Sequence, residues 1–235
     1  MEWGDCTMFY VTGDTHGNYD IYKLSTPSLN KNNISLTSND YLIICGDFGL
    51  VWNNSPDENY WLDWLNEKPC TTLFVDGNHE NHNLLNQMKP MLWNGGFVHQ
   101  IRPKVMHLMR GQIFNIDGTI FFTMGGAASI DKQFRREGVS WWAEEMPSVE
   151  EYKTANKNLE KANFKVDYIL THTAPTSIVN QLIPEIKPPD KLTNYLENIK
   201  ETVDYKHWYF GHFHIDEDID DEHTVLYNSI IKIGE

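Results

Sequence analysis

Long apolar runs are missing from this chain of 235 residues. None approaches the roughly 20 residues a membrane helix needs, so no membrane span is expected. No basic segment followed by an apolar one opens the sequence, which argues against a cleaved signal. Cysteine is scarce. Cys6, Cys45 and Cys70 are odd in number and unpatterned, so they suggest neither a disulfide frame nor a zinc ribbon. Reduced thiols in a cytoplasmic protein are the expectation, with Cys45 as a small core residue. No G-x-S-x-G or C-x5-R sequence occurs, so the usual serine and cysteine nucleophile motifs are excluded. The formal charge of −14 disfavours binding long nucleic acid through the general surface. No repeat, low-complexity tract or Pro/Gly-rich linker divides the chain. One domain over 1–235 is expected, a size normal for an α/β sandwich.

What is present is a repeated pattern. Tyr10-Val11-Thr12 leads to Gly13-Asp14-Thr15-His16-Gly17, and Tyr41-Leu42-Ile43-Ile44-Cys45 leads to Gly46-Asp47. Leu73-Phe74-Val75 leads through Asp76 to Gly77-Asn78-His79-Glu80. Tyr168-Ile169-Leu170-Thr171 leads to His172, and Trp208-Tyr209-Phe210 to Gly211-His212-Phe213-His214. Five strand-like runs thus end in Asp, Asn or His. In four of them glycine stands immediately before an Asp, Asn or His of the set, where it permits a sharp turn and close backbone approach. Residues i and i+2 of an extended backbone project to one side, so Asp14 and His16 can converge.

Around these runs the pattern predicts helices over 55–66, with Trp61, Leu62, Trp64 and Leu65 on one face, and over 80–88. Ser148 with Glu151 makes a capping box for a helix to about 163, and 190–203 forms the last helix. Residues 112–116 and 119–123 flank Asp117-Gly118 as a β-hairpin. The acidic run 216–222 is a solvated hairpin tip or edge, and 224–233 is β-like. Alternating elements early and a hairpin-rich second half suggest two packed sheets with helices outside.

Asp14, His16, Asp47, Asn78, His172, His212 and His214 supply two carboxylates, one amide and four imidazoles without a thiolate. That is too many donors for one ion and about right for two. An all-N/O set favours Mn, Fe or Zn. Two such cations can clamp a phosphate, acidify a bridging water and stabilise in-line displacement.

The ordered set GDTHG, GDFG, GNHE, TH and GHFH, spanning 13–214, resembles the calcineurin-like metallophosphoesterase family. The resemblance implies a four-layer αββα sandwich of two mixed sheets flanked by helices, with the site at the strand ends. It implies that Asp14, His16 and His214 hold one ion, that Asn78, His172 and His212 hold the other, and that Asp47 bridges them. His79 matches the family's non-ligand histidine that donates a proton to the leaving oxygen or stabilises the transition state; an imidazolium beside a developing alkoxide suits general acid catalysis. Protein Ser/Thr phosphatases of the superfamily continue Gly-Asp with Asp-Arg-Gly. Here Phe48-Gly49-Leu50-Val51-Trp52 follows, which lowers that reading. Lariat-debranching relatives carry cysteine in the first motif, where Asp14 stands.

All four arginines (Arg102, Arg110, Arg135, Arg136) lie within 102–136, and guanidinium suits phosphate oxygens. The segment from Gly125 to Lys132, continuing to Arg135 and Ser140-Trp141-Trp142, resembles a loop of small bacterial and phage-type members. Lys132, Arg135 or Arg136, and Trp141 and Trp142 are the candidate substrate contacts, with lid or core packing as the alternative for the tryptophans. Of the histidines outside the motifs, His82 is the best candidate for the rim of the site. Glu80 is a candidate orienter of a metal ligand or an acid at a helix start, two compatible readings. The expected activity is hydrolysis of a small phosphodiester or phosphomonoester, nucleotide-like or a single-stranded nucleic-acid end, with no obligate protein partner. The alternative is a metal-binding recognition scaffold with little catalysis.

Overall fold

A computed structural model describes residues 7–184 and 189–234. Its elements in order are β1 (Phe9–Thr12), α1 (Thr26–Lys31), β2 (Tyr41–Cys45), α2 (Pro56–Glu67), β3 (Thr71–Val75), α3 (His82–Gln87), β4 (Met91–Trp93), β5 (Gly96–Arg102), β6 (Val105–Leu108), β7 (Gln112–Ile116), β8 (Thr119–Met124), α4 (Val149–Lys161), β9 (Tyr168–Thr171), α5 (Thr176–Leu182), α6 (Lys191–Thr202), β10 (His207–Phe210), β11 (Glu217–Asp220), β12 (His223–Val225) and β13 (Ile230–Lys232).

The strands form two mixed sheets, ordered β13-β1-β2-β3-β6-β5-β4 and β11-β12-β10-β9-β8-β7. Parallel pairing runs through β1, β2, β3 and β6 in the first and through β8, β9, β10 and β12 in the second. Strand alternation divides the core. Ile43, Cys45, Leu73 and Val75 pack with Phe121, Leu170 and Tyr209 of the other sheet. Their neighbours Leu42, Ile44 and Phe74 turn instead to Trp61, Leu62 and Leu65 of α2. On the far side Ile169, Trp208 and Phe210 meet Leu159 of α4 and Leu192 and Leu196 of α6. Strands buried on both faces are apolar throughout, which is why these runs lack polar alternation. The result is the four-layer αββα sandwich. Among the described residues no helix is long and apolar enough to cross a membrane.

Local signals act as read. Ser55 caps α2 by accepting from Glu58 N at 3.2 Å, with Pro56 at its start. Ser148 and Glu151 form the reciprocal capping box of α4, and Asp190 caps α6. The hairpin at 117–118 joins β7 to β8, and the acidic run supplies β11 at a sheet edge.

Two boundaries differ. The helix read over 80–88 begins at His82, because Asn81 caps it by accepting from Leu84 N and Glu80 is engaged elsewhere. The tail read as one β segment over 224–233 is two strands in different sheets. β12 runs parallel to β10, and β13 antiparallel to β1. Asp216 makes the break by accepting from Tyr227 N, Asn228 N and Ser229 N. Cys45 and Cys70 are buried free thiols; Cys6 lies outside the described residues.

Candidate metal centre

The parallel strands deliver their loops to one place. Asp14 sits two residues beyond β1, with 0 % exposure. Asp47 stands two beyond β2, and its carbonyl accepts from Thr15 N at 3.1 Å and His16 N at 2.8 Å, locking the first two loops together. Asp47 Oδ1 accepts from His79 N at 2.7 Å. Gly77 is required by contact: a Cβ there would lie 2.1 Å from Asp47 Oδ1. Gly211 is its counterpart in the second sheet, where a Cβ would lie 2.2 Å from Asp14 Oδ1. The next residue, His212, donates its backbone N–H to that oxygen at 2.9 Å.

His172 follows β9 and is fully buried. Its Nδ1 lies 2.9 Å from Cys45 O, a carbonyl that only accepts, so Nδ1 carries the proton. Nε2 then faces Asp47 Oδ1 and Asn78 Oδ1, each at 3.2 Å. Asn78 Nδ2 donates to Ser129 Oγ at 3.3 Å, which turns the amide oxygen inward. His214 Nε2 lies 3.1 Å from Asp14 Oδ2, and its ring stacks on Tyr227 at 4.7 Å. His16 Nδ1 is paired with Asp20 at 2.8 Å, directing Nε2 to Asp47 Oδ2 at 3.4 Å.

Two donor sets close on common points. Asp14, His16 and His214 offer ligand atoms within 4.8 Å of one another, as do Asp14, Asp47 and His172. The first is one triple implied by the family resemblance. The second joins Asp14 to Asp47 and His172, with Asn78 touching it through His172 and the His212 ring 4.9 Å from the His172 ring. Donors around one cation at about 2.0–2.2 Å lie roughly 3 Å apart, the spacing seen here. Asp14 Oδ2 is a buried carboxylate oxygen without a well-aligned hydrogen bond. Such a group is costly unless a cation meets it, so the donor set fits a metal.

The charges interlock. Despite burial, His172 and His214 lower the pKa of Asp14, and His172 and His16 hold Asp47 well below the usual carboxylate range. Against burial, Asp47 and Asp14 push His172 up to about 10, while Asp47 and Asp20 raise His16. Burial and neighbouring His172 bring His212 down to about 4. His16, Asp47, His212 and His214 all have positive φ, between 42° and 72°.

His79 lies across the centre, its ring 5.5 Å from that of His16. Arg135 Nη2 and Nη1 approach its two ring nitrogens at 3.2 and 3.4 Å. A guanidinium only donates, and burial together with Arg135 lowers the His79 pKa, although Asp47 opposes this. Burial and Arg135 thus disfavour the imidazolium form of His79. Arg135 is held by Asp131 at 2.8 Å; Arg136 is exposed.

The arginine cluster disperses. Arg110 is buried against Asp76 and the carbonyls of Glu144 and Glu145, and Arg102 pairs with Asp63. Lys132 is committed to buried Glu145 at 2.5 Å, with its ammonium 4.9 Å from the Trp141 ring. Trp141 is half-buried. Trp142 is 2 % exposed and packs edge-on against Trp52, which is the packing alternative. His82 is not at the rim: it is buried and lines a separate cavity of about 200 Å³ with Asp76, His107 and Arg110. Glu80 accepts from Phe48 N at 2.6 Å and Gly49 N at 3.2 Å, in the loop just after Asp47.

Several supports escaped the sequence reading. Lys23 lies under the centre and donates to the carbonyls of Gly13, Asp14 and Tyr227. Asp20, Ser129 and Tyr227 each hold one proposed ligand. Only the His16–Asp20 spacing hinted at any of them, and i+4 pairing is informative only inside a helix.

A family model for calcineurin-like phosphoesterases matches residues 7–216. No curated protein matches the chain. The match extends from just before β1 to two residues past His214 and so includes every strand-end loop described above; the chain belongs to the calcineurin-like phosphoesterase family.

Proposed function

We propose that the protein is a dinuclear metal-dependent hydrolase of small phosphoesters. Asp14, His16 and His214 would hold one ion and Asn78, His172 and His212 the other, with Asp47 reaching both. The N/O donor set suits Mn, Fe or Zn. The observation that carries this reading is Asp14, the residue shared by the two donor triples, whose buried Oδ2 has no well-aligned hydrogen bond. Bound cations would supply charge neutralisation for the phosphate and a more acidic water.

The chain's own groups do the rest. Asp47 fixes the His79 backbone. Arg135 has free donors once its guanidinium turns from His79 to a phosphate oxygen, a geometry that guanidinium suits. That turn frees the His79 lone pair, and the nearby phosphate charge raises its proton affinity. His79 then carries a proton to the departing oxygen. The poor alkoxide leaving group of a diester gains most from this, so a phosphodiester is the favoured substrate over a monoester.

Turnover of bis-aryl and mono-aryl phosphates with Mn²⁺ tests the reading. Asp47→Asn should abolish it, and His79→Ala should lower kcat by about 10²–10⁴ for an alkyl leaving group and less for an aryl one. Turnover indifferent to Asp47→Asn refutes it. Metal binding without turnover in any form leaves a scaffold.

A further inference from the structure

A cavity of about 750 Å³ opens from the candidate metal centre at His16, His79 and His214. It is also lined by Tyr19, Trp52, Asp57 and Asp20, the last paired with His16, and among the described residues no lysine or arginine lines it. Tyr19 is 83 % exposed. Asp57 is exposed in the first turn of α2 and receives one hydrogen bond, from Asn18 at 3.0 Å. Lys23 spends its ammonium on carbonyls beneath the centre. Glu58 turns inward to Trp52 N, Asn53 N and Asn54 N. Arg135, the cation that reaches His79, is not part of this wall. The centre is therefore flanked by a guanidinium on one side and by carboxylates with aromatic rings on the other.

Carboxylates repel a second phosphate, and an exposed aromatic face beside them attracts an organic cation. We propose that this groove receives one arm of the ester and selects an ammonium-bearing arm over an anionic one. The inference rests on the phosphoesterase reading and narrows its substrate class: small zwitterionic phosphodiesters are favoured, and polyphosphates or nucleic-acid ends are disfavoured.

Three 4-nitrophenyl phosphodiesters that share a leaving group test it, bearing a choline arm, its uncharged 3,3-dimethylbutyl isostere and a carboxyalkyl arm. With Mn²⁺-loaded protein, kcat/KM should fall in that order, by about tenfold or more from first to last. Asp57→Asn should compress the order and Asp57→Lys should reverse its ends. A second readout needs no turnover. Phenyltrimethylammonium should quench tryptophan fluorescence in the metal-free protein, an effect lost in Asp57→Lys. Equal rates, a faster uncharged isostere, or no cation binding overturns the inference. Cation binding without hydrolysis of any ester keeps the groove's selectivity and refutes the phosphoesterase reading instead.

Discussion

Metal binding should release a proton, and His172 is its source. In the metal-free protein Asp47 and Asp14 overcome burial and push this ring up to about 10. Its Nδ1 proton is fixed on Cys45 O, so the labile proton sits on Nε2, between Asp47 and Asn78. That is the position a cation needs, and a ligand imidazole must be neutral there. The sign follows: protons compete with the metal below pH 10, so affinity rises with pH up to that point. At about pH 8 the ring is two pH units below its pKa, so displacing the proton costs about 2.7 kcal/mol, or roughly 100-fold in affinity. Each further pH unit recovers about tenfold. His16, raised by Asp47 and Asp20 against its burial, adds in the same direction. Calorimetric titration of Mn²⁺ into metal-free protein, in two buffers of different ionisation enthalpy at about pH 7, 8 and 9, measures the released protons directly. About one proton per protein from His172 is expected, with Kd tightening as pH rises. His172→Gln, which has no such proton, should remove the His172 share of that dependence and leave only the smaller part due to His16. Heats independent of buffer, with a flat Kd, would refute the argument.

Ser129→Ala frees the Asn78 amide to rotate. Weaker loading of the second ion, by about 10-fold, is expected in a Mn²⁺ titration, with kcat restored at saturating metal. Glu80 is pushed well above the usual carboxylate range by burial and by Asp47 and Asp76, which favours the neutral acid over the carboxylate. Glu80→Gln should therefore be mild. Glu80→Ala leaves Phe48 N and Gly49 N unmet and should cost about 1–3 kcal/mol in urea denaturation. Burial, with neighbouring cationic groups, brings His82 and His99 down to about 4. Their folded pKa lies below the unfolded value, so the unfolded chain takes protons first. Stability should be full above about pH 6.5 and fall toward pH 4, by about 3 kcal/mol per ring at most. Gln at either position should flatten the profile.

The sequence exposed the centre more clearly than its surroundings, for a physical reason. Strands such as Tyr41–Cys45 are buried on both faces, so their apolar runs are unbroken and end where the ligands begin. The short strands Met91–Trp93 and Gly96–Arg102 carry exposed Leu92 and Phe97, which blurred any period, and they were not read. Arginine number said nothing about partners. Arg110 belongs to Asp76, 34 residues earlier, and only the packed structure brings them together. The same holds for Lys132 and Glu145 and for the tail, whose break depends on Asp216. Spacing found the side chains that converge, while those that hold them in place are long-range neighbours without a local signature.

The backbone of the candidate centre lies in a costly conformation at four residues. His16, Asp47, His212 and His214 lie in the left-handed region, where an L residue with a Cβ costs about 1–2 kcal/mol relative to glycine. Strain of this kind persists where surrounding structure over-determines it, and it gathers at functional sites. His214 permits a clean measurement, because its side chain is half exposed and its φ is 54°. Both His214→Ala and His214→Gly delete the ring, its stacking on Tyr227 and its approach to Asp14, so those losses cancel in the comparison. What remains is the Cβ at positive φ, offset by the greater freedom of an unfolded glycine, about 0.4–1 kcal/mol. In metal-free protein the glycine variant should be the more stable by about 1 kcal/mol in urea denaturation. If alanine equals or exceeds glycine, the loop is relaxed at this residue, and the positive φ is no cost that ligand placement has to justify.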